Sequence, residues 1–281
     1  MIVGIIGLGL IGGSMAKAIK HCTDHTVHGM DMSSQVVLKA KMLQVIDDEL
    51  TTEKIQNCDL IIVALYPRAT IDFIKTNAER LRGAVVVDCC GVKSIVQNAV
   101  LPIARENGFV FVGGHPMAGI EYSGFEYSKI DLFNGASMIL TPDPQTNIPD
   151  LDLLKRFFLS LGFAHIQLST PEEHDHVIAY TSQLAHVLSS AYVKSEAAMK
   201  QCGFSAGSFK DMTRVALLNV DMWTELFLSN SEPLADEVEA LAARLTQYSK
   251  AIRAYDAETL SKLLDDGCQR KQYLTERETK A

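Results

Sequence analysis

His115 lies in Gly113-Gly114-His115-Pro116-Met117-Ala118-Gly119, directly after the apolar run Phe109-Val110-Phe111-Val112. An imidazole pinned between Gly and Pro after a strand faces a ligand from a fixed loop. In its neutral form it can accept a proton from a substrate hydroxyl as hydride leaves the same carbon. A loop histidine with structural hydrogen bonds only is the plainer alternative. Asp175, Ser182 and His186 follow at seven- and four-residue spacing, which places all three on one face of a helix. A solvated stripe is the alternative there, and it suits Asp175 better than His186, which sits within Leu184–Leu188. Arg214 ends Asp211-Met212-Thr213-Arg214 and precedes Val215-Ala216-Leu217-Leu218. A planar guanidinium there could clamp a carboxylate with two parallel hydrogen bonds. Its alternative is an i, i+3 pair with Asp211.

A second set of residues sits at the start of the chain. Ile2-Val3-Gly4-Ile5-Ile6 reads as a buried strand that runs into Gly7-Leu8-Gly9-Leu10-Ile11-Gly12 and then the helical pattern Gly13–Ile19. In such a strand, G-x-G-x-x-G, helix arrangement the first glycine makes the turn. The second admits a pyrophosphate and the third lets helix and strand approach. The helix start offers free N–H groups and a partial positive charge to a phosphate. The next strand, Thr26–Met30, ends at Asp31, close to the ~20-residue spacing at which an acid accepts hydrogen bonds from an adenosine ribose. Asp31 also disfavours a 2′-phosphate, which points to NAD over NADP. A tight turn in an α/β domain that binds no nucleotide is the competing interpretation.

These residues need a scaffold, and the first half of the chain supplies one. Short continuous apolar strands (Asp59–Leu65, Ala84–Val87, Phe109–Val112) alternate with helical stretches around Gln35–Leu43, Ala69–Leu81 and Ser94–Asn107. That pattern implies a parallel sheet covered on both faces, with ligands outside the carboxyl ends of its strands. The features after those ends are Gly7–Gly12, Asp31, Tyr66-Pro67, Cys89–Lys93 and Gly113–Gly119. Gly7, Leu8, Gly9, Leu10, Ile11, Gly12, Asp31, Tyr66 and Pro67 are therefore assigned to the cofactor. Two more strands, Ser137–Leu140 and Ala164–Leu168, flank a helix over Leu151–Leu161.

From Thr170 onward no strand pattern remains. Thr170-Pro171-Glu172-Glu173 is a capping box that opens a long helix extending towards Cys202. Further helices are expected over Phe209–Leu228, from Ser231, and over Ala257–Arg270. Val238, Leu241, Leu245, Tyr248 and Ile252 form an apolar stripe at three- and four-residue spacing. The expected fold is α/β: a Rossmann-type parallel-sheet dinucleotide-binding domain over residues 1–168, then an all-helical substrate-binding and dimerisation domain over residues 169–281. The stripe suggests a homodimer.

The bulk numbers narrow the class. The chain has 281 residues and a formal net charge of −8, with no basic stripe for a nucleic acid. No apolar run approaches the ~18 residues that span a bilayer, and the N-terminus lacks a basic n-region. The expected location is the cytoplasm. Six cysteines show no zinc spacing and no C-x-x-C pair, so most are expected to be small buried hydrophobes and no metal site is expected.

Taken together, G-L-G-L-I-G-G-S at Gly7–Ser14, G-H-P-M-A-G at Gly114–Gly119, His174-Asp175, Ser182-Gln183-Leu184-Ala185-His186, Asp211-Met212-Thr213-Arg214 and Met222-Trp223 resemble the prephenate dehydrogenase family, which includes arogenate dehydrogenases. The resemblance spans essentially the whole chain. It implies a tyrosine-pathway enzyme that oxidises the ring carbinol of prephenate with NAD, releases CO2 and yields 4-hydroxyphenylpyruvate. It also implies a homodimer paired through the helical domain. By resemblance, His115 is the catalytic histidine at the ring hydroxyl and Arg214 binds a substrate carboxylate. Ser182 and His186 line the substrate pocket, and Glu121 is an acidic gate residue.

The sequence departs from the family pattern at three positions. Gly91 stands where many relatives have Ser, and Gln183 and Ala185 where many have His and Pro. No appended regulatory domain is expected after the helical region, and no mutase domain is expected in front. Rival readings are an arogenate dehydrogenase, a β-hydroxyacid dehydrogenase or imine reductase of similar architecture, and a non-enzymatic NAD-sensing module.

Overall fold

A computed structural model describes residues 1–278. The chain falls into two compact units, Met1–Ser231 and a second that begins at Glu232. In the first unit, β1 (Ile2–Ile6), α1 (Leu10–Cys22), β2 (Thr26–Met30), α2 (Ser34–Met42) and β3 (Asp48–Glu49) alternate. They continue through β4 (Leu60–Val63), α3 (Pro67–Asn77), β5 (Val85–Asp88), α4 (Ser94–Asn107) and β6 (Val110–Pro116). β7 (Ser137–Pro142), α5 (Ile148–Ser160) and β8 (His165–Leu168) complete the sheet. The helices α6 (Pro171–Ile178), α7 (Leu184–Tyr192), α8 (Gly207–Thr213) and α9 (Val220–Ser229) follow. The second unit holds most of α10 (Ser231–Arg253) and α11 (Ala257–Glu278).

The strand order is β3-β2-β1-β4-β5-β6-β7-β8. Alternate residues of the central strands enter two separate cores. Val3, Ile5, Leu60, Ile62, Val85 and Val87 pack into one, and Ile6, Ile61, Val63 and Val86 into the other. Burial on both faces is what the continuous apolar strands demand. The chain reverses direction across the sheet between β1 and β4, which opens a crevice at their carboxyl ends.

Four expectations are corrected. The sheet is not wholly parallel, because β7 runs antiparallel to β6. His115 is not on a loop after the strand: β6 extends through Gly113, Gly114 and His115, and His115 pairs with Ile139. The backbone of Gly114 is held on both sides, as described below, so the strand continues. The long helix from Thr170 is interrupted by a π turn over Ala179–Gln183 and ends at Tyr192. The helix over Phe209–Leu228 is also two helices, because the Asn219 side chain caps α9 by accepting from Met222 N at 3.1 Å. A good cap here outweighs the continuous apolar run. Of the six cysteines, all free, Cys58 and Cys90 are buried, Cys89 is half-buried, and Cys22, Cys202 and Cys268 are exposed.

Candidate active site

The Gly7–Gly12 turn follows β1. Gly12 lies so close to Gly7 that a Cβ on it would stand 1.8 Å from the Gly7 carbonyl oxygen. A Cβ on Gly9 would meet nothing within 4 Å, so the face above the turn is open. Gly9 is also the N-cap of α1 and contributes no side-chain cap to its first turn. The N–H groups that begin with Leu10 and Ile11 therefore suit a pyrophosphate. Leu8 plays a different part. Its side chain is buried and its N–H donates to Asp31 Oδ2 at 2.8 Å. Asp31 Oδ1 accepts from Ser33 N at 2.9 Å, which fixes the carboxylate at the end of β2. The neighbouring Met32 is fully exposed and offers no cation to a 2′-phosphate. Tyr66 caps α3, with Pro67 buried at its first position, beside the crevice between β1 and β4. This set of residues fits a dinucleotide.

The next strands fix His115. Asp88 ends β5 and is fully buried. Its Oδ1 accepts from Gly114 N at 3.0 Å and its Oδ2 from Cys90 N at 2.9 Å. The Lys93 ammonium, also fully buried, pairs with Asp88 and donates to the Gly114 carbonyl at 2.5 Å. Both backbone groups of Gly114 are thus tied down one residue before His115. A Cβ on Gly114 would sit 2.5 Å from the Asp88 carbonyl oxygen, so this close approach requires glycine.

The half-buried His115 ring has Nδ1 2.9 Å from His174 Nε2. His174 Nδ1 is 2.8 Å from Asp175 Oδ1. Asp175 also accepts Lys93 N at 2.7 Å and Ser94 N at 2.8 Å, at the start of α4. Burial alone would raise the Asp175 pKa, but hydrogen bonds from His174, Ser94 and Lys93 hold it below the usual carboxylate range. Burial, helped by the neighbouring His174 ring and the Lys93 ammonium and opposed by Asp175, pushes His115 well below 6.5. His115 is therefore a neutral imidazole at neutral pH.

A second group of residues lies nearer solvent. Arg214 Nη1 is 3.1 Å from Glu121 Oε1, with the side chains 67% and 46% exposed. Its partner is thus Glu121 and not Asp211. Hydrogen bonds from its own backbone and from Arg214 hold the Glu121 carboxyl below its ordinary range. His186 Nδ1 lies 2.8 Å from the Ser182 carbonyl oxygen, and its ring stacks on Trp223 at 3.8 Å between centroids. Burial lowers its pKa, the Ser182 carbonyl raises it, and the Arg214 charge lowers it further. Asp175 does not share a face with Ser182 and His186. The π turn between them adds a residue to the register, and Asp175 is spent on the start of α4.

Helix α9 joins the two groups. Trp223 stacks on His186, Glu225 Oε1 accepts Arg68 N at the start of α3 at 2.8 Å, and Leu226 approaches Gly91. A Cβ on Gly91 would lie 3.6 Å from Leu226 Cδ2 and 3.8 Å from His115 Nε2. Sequence reasoning missed Glu225, Leu226 and the buried Asp88–Lys93 pair, and it gave His174 no role. The adjacent His174-Asp175 after a capping box was the signal available.

Models of two families match the chain. The nucleotide-binding domain of prephenate dehydrogenase matches residues 15–167, and its dimerization domain matches residues 170–266. A cyclohexadienyl dehydrogenase of Zymomonas mobilis is 33% identical over 92% of this chain and 90% of its own length. A Bacillus subtilis prephenate dehydrogenase is 30% identical over 91% of this chain and 71% of its own. The structure of Aquifex aeolicus prephenate dehydrogenase with hydroxyphenyl propionate and NAD+ superposes with a TM-score of 0.85 at 29% identity, covering 98% of both chains. A Synechocystis arogenate dehydrogenase superposes at 0.83 with 25% identity, covering 97% of this chain and all of the other. With both domain models matched in order and the glycine turn, His115 and Arg214 on one scaffold, this chain belongs to the prephenate dehydrogenase family of NAD-dependent oxidoreductases.

Proposed function

We propose that this chain oxidises prephenate with NAD and that His115 is the general base. The observation that carries the reading is the neutral His115 ring, fixed by β6 and His174, with Nε2 facing the space beside Gly91. NAD, when bound, accepts the hydride from the ring carbinol carbon. His115 takes the hydroxyl proton, so a carbonyl forms at that carbon. Loss of the ring carboxylate as CO2 returns its electron pair to the ring, and the carbonyl oxygen regains the proton as the ring becomes aromatic. The product is 4-hydroxyphenylpyruvate.

Prephenate carries two carboxylates. Arg214, exposed and beside His186, supplies the cation that binds one of them, while Ser182 and His186 line the pocket and Glu121 gates it. Gly7–Gly12, Asp31, Tyr66 and Pro67 hold the cofactor, and the Asp31 carboxylate favours NAD over NADP. The matched dimerization domain and exposed apolar side chains such as Phe204, Leu217, Leu245 and Ile252 support a homodimer through the helical region, taken here as residues 169–281. The use of NAD and the free cysteines support a cytoplasmic location.

A second reading, arogenate as the substrate, is supported by the likeness to the cyclohexadienyl and arogenate dehydrogenases. Measuring NADH formation with prephenate and arogenate side by side decides between them. Prephenate is expected to give the higher kcat/KM. Turnover with neither substrate would overturn both readings.

A further inference from the structure

We propose that His174 and Asp175 act as a relay that fixes the tautomer of His115, so that Nε2, the nitrogen beside Gly91, is the one left bare to take a proton. The inference rests on the reading of His115 as the base and assigns His174 and Asp175 as positioning residues.

The argument runs inward from the carboxylate. Asp175 accepts two backbone N–H groups, from Lys93 and Ser94, at the start of α4. A carboxylate held this way is ionised and can only accept. His174 Nδ1, 2.8 Å from Asp175 Oδ1, must therefore carry a hydrogen. A neutral His174 then has a bare Nε2. That lone pair lies 2.9 Å from His115 Nδ1, so His115 must carry its hydrogen on Nδ1. A neutral imidazole has one N–H only. His115 Nε2 is thus a bare acceptor, the reverse of the tautomer that free histidine prefers.

The surroundings hold this arrangement in place. The His174 side chain is fully buried and that of Asp175 nearly so, so water does not compete for these bonds. The other charge close to His115 is Lys93, just before α4, and it is paired with Asp88 at the end of β5. When His115 takes a proton at Nε2, its Nδ1 proton can shift to His174 Nε2. The positive charge then rests beside Asp175, and the proton on His115 Nε2 returns to the product oxygen as the relayed proton moves back from His174 to Nδ1. No other reactant is required.

The test uses the full-length chain with 15N-labelled histidine. Two-bond proton–nitrogen spectra at neutral pH report the tautomer of each of the eight histidines. The His115 signal is identified by its loss in His115→Asn. The expected result is His115 with hydrogen on Nδ1 and a bare Nε2. His174→Phe, which fills the space without an acceptor, should move the hydrogen to Nε2. It should lower kcat by at least about tenfold, and by no more than the ~10⁴-fold that a wrong imidazole tautomer costs a Ser-His-Asp triad. KM for NAD and prephenate should change by less than about twofold, because the loss lies in the transition state. His174→Gln, whose amide oxygen can stand near the lost acceptor, should restore the Nδ1 hydrogen and recover part of the lost rate. A wild-type His115 with hydrogen on Nε2 overturns the proposal. So does a folded His174→Phe that keeps both tautomer and kcat. If His174→Phe does not fold, the wild-type spectrum and His174→Gln decide. A normal kcat in His115→Asn would instead remove His115 as the base and leave the tautomer result standing.

Discussion

Two regions of the site are built on opposite principles. Around His115 the charges are buried and each is answered at short range: Asp88 by Lys93 and two backbone N–H groups, and Asp175 by His174 and two more. Around Arg214 the charges stand in solvent and meet each other once, at 3.1 Å. Buried charges are costly unless fully paired, so the first region is rigid and its removal should damage fold and rate together. Exposed pairs contribute little to stability, so the second can exchange partners and its removal should affect binding alone.

The sharpest break in this comparison is His115→Asn. On the proposed reading it lowers kcat by about 10²–10⁴-fold, the range for a missing general base. NAD affinity, measured by fluorescence titration, should stay at the wild-type value. Because burial and the neighbouring His174 and Lys93 side chains push the His115 pKa well below 6.5, the base is already neutral at pH 6.5. The acid limb of kcat/KM should therefore lie well below pH 6.5, with activity lost as pH falls through the folded-state pKa. A limb at or above 6.5 would assign the titration to another group.

Lys93→Met tests the rigid region without touching Nε2. It leaves Asp88 buried with no cation, which costs roughly 3–5 kcal/mol when one partner of a buried pair is lost. Urea unfolding should show that drop. A stability within error of wild type would mean that the Gly114 backbone is held by other means.

Arg214→Ala probes the exposed region. The exposure of the pair predicts an unchanged Tm. Losing the cation for a dianionic substrate should raise KM for prephenate by about 10–100-fold, with Lys restoring only part because it lacks the planar fork. A normal KM, or an unfolded variant, would erase the contrast between the regions.

What could be read from the sequence follows the same divide. The glycine turn, Asp31 and the succession of the central strands along the chain were legible because each depends on a local pattern: close backbone approach at Gly12, period and apolar runs in β1, β4 and β5. His115 and Arg214 were legible as candidates because each stands in a tight motif. Their partners were not. Glu121 lies 93 residues from Arg214, and His174 lies 59 from His115. Nothing local announces such pairings. The π turn at Ala179–Gln183 was equally hidden, because Ala-Tyr-Thr-Ser-Gln carries no helix breaker. The Asn219 cap could have been found, since Asn before an apolar run is a helix-start signal, but the apolar continuity around it dominated the reading.

The finest probe of the exposed region is Glu121→Gln. The Glu121 carboxylate occupies one guanidinium nitrogen of Arg214, and its hydrogen bonds keep it ionised at neutral pH. On the proposed reading, an incoming dianion meets both the Arg214 cation and this negative charge beside it. Glutamine keeps the shape and removes the charge, so KM for prephenate should fall by about two- to threefold, the modest scale expected of screened, solvent-exposed charges. The gain should shrink as salt is added, while kcat and Tm stay at wild-type values. A tenfold rise in KM would reverse the argument: Glu121 would then be holding Arg214 in its binding pose, and the exposed pair would be as preorganised as the buried one.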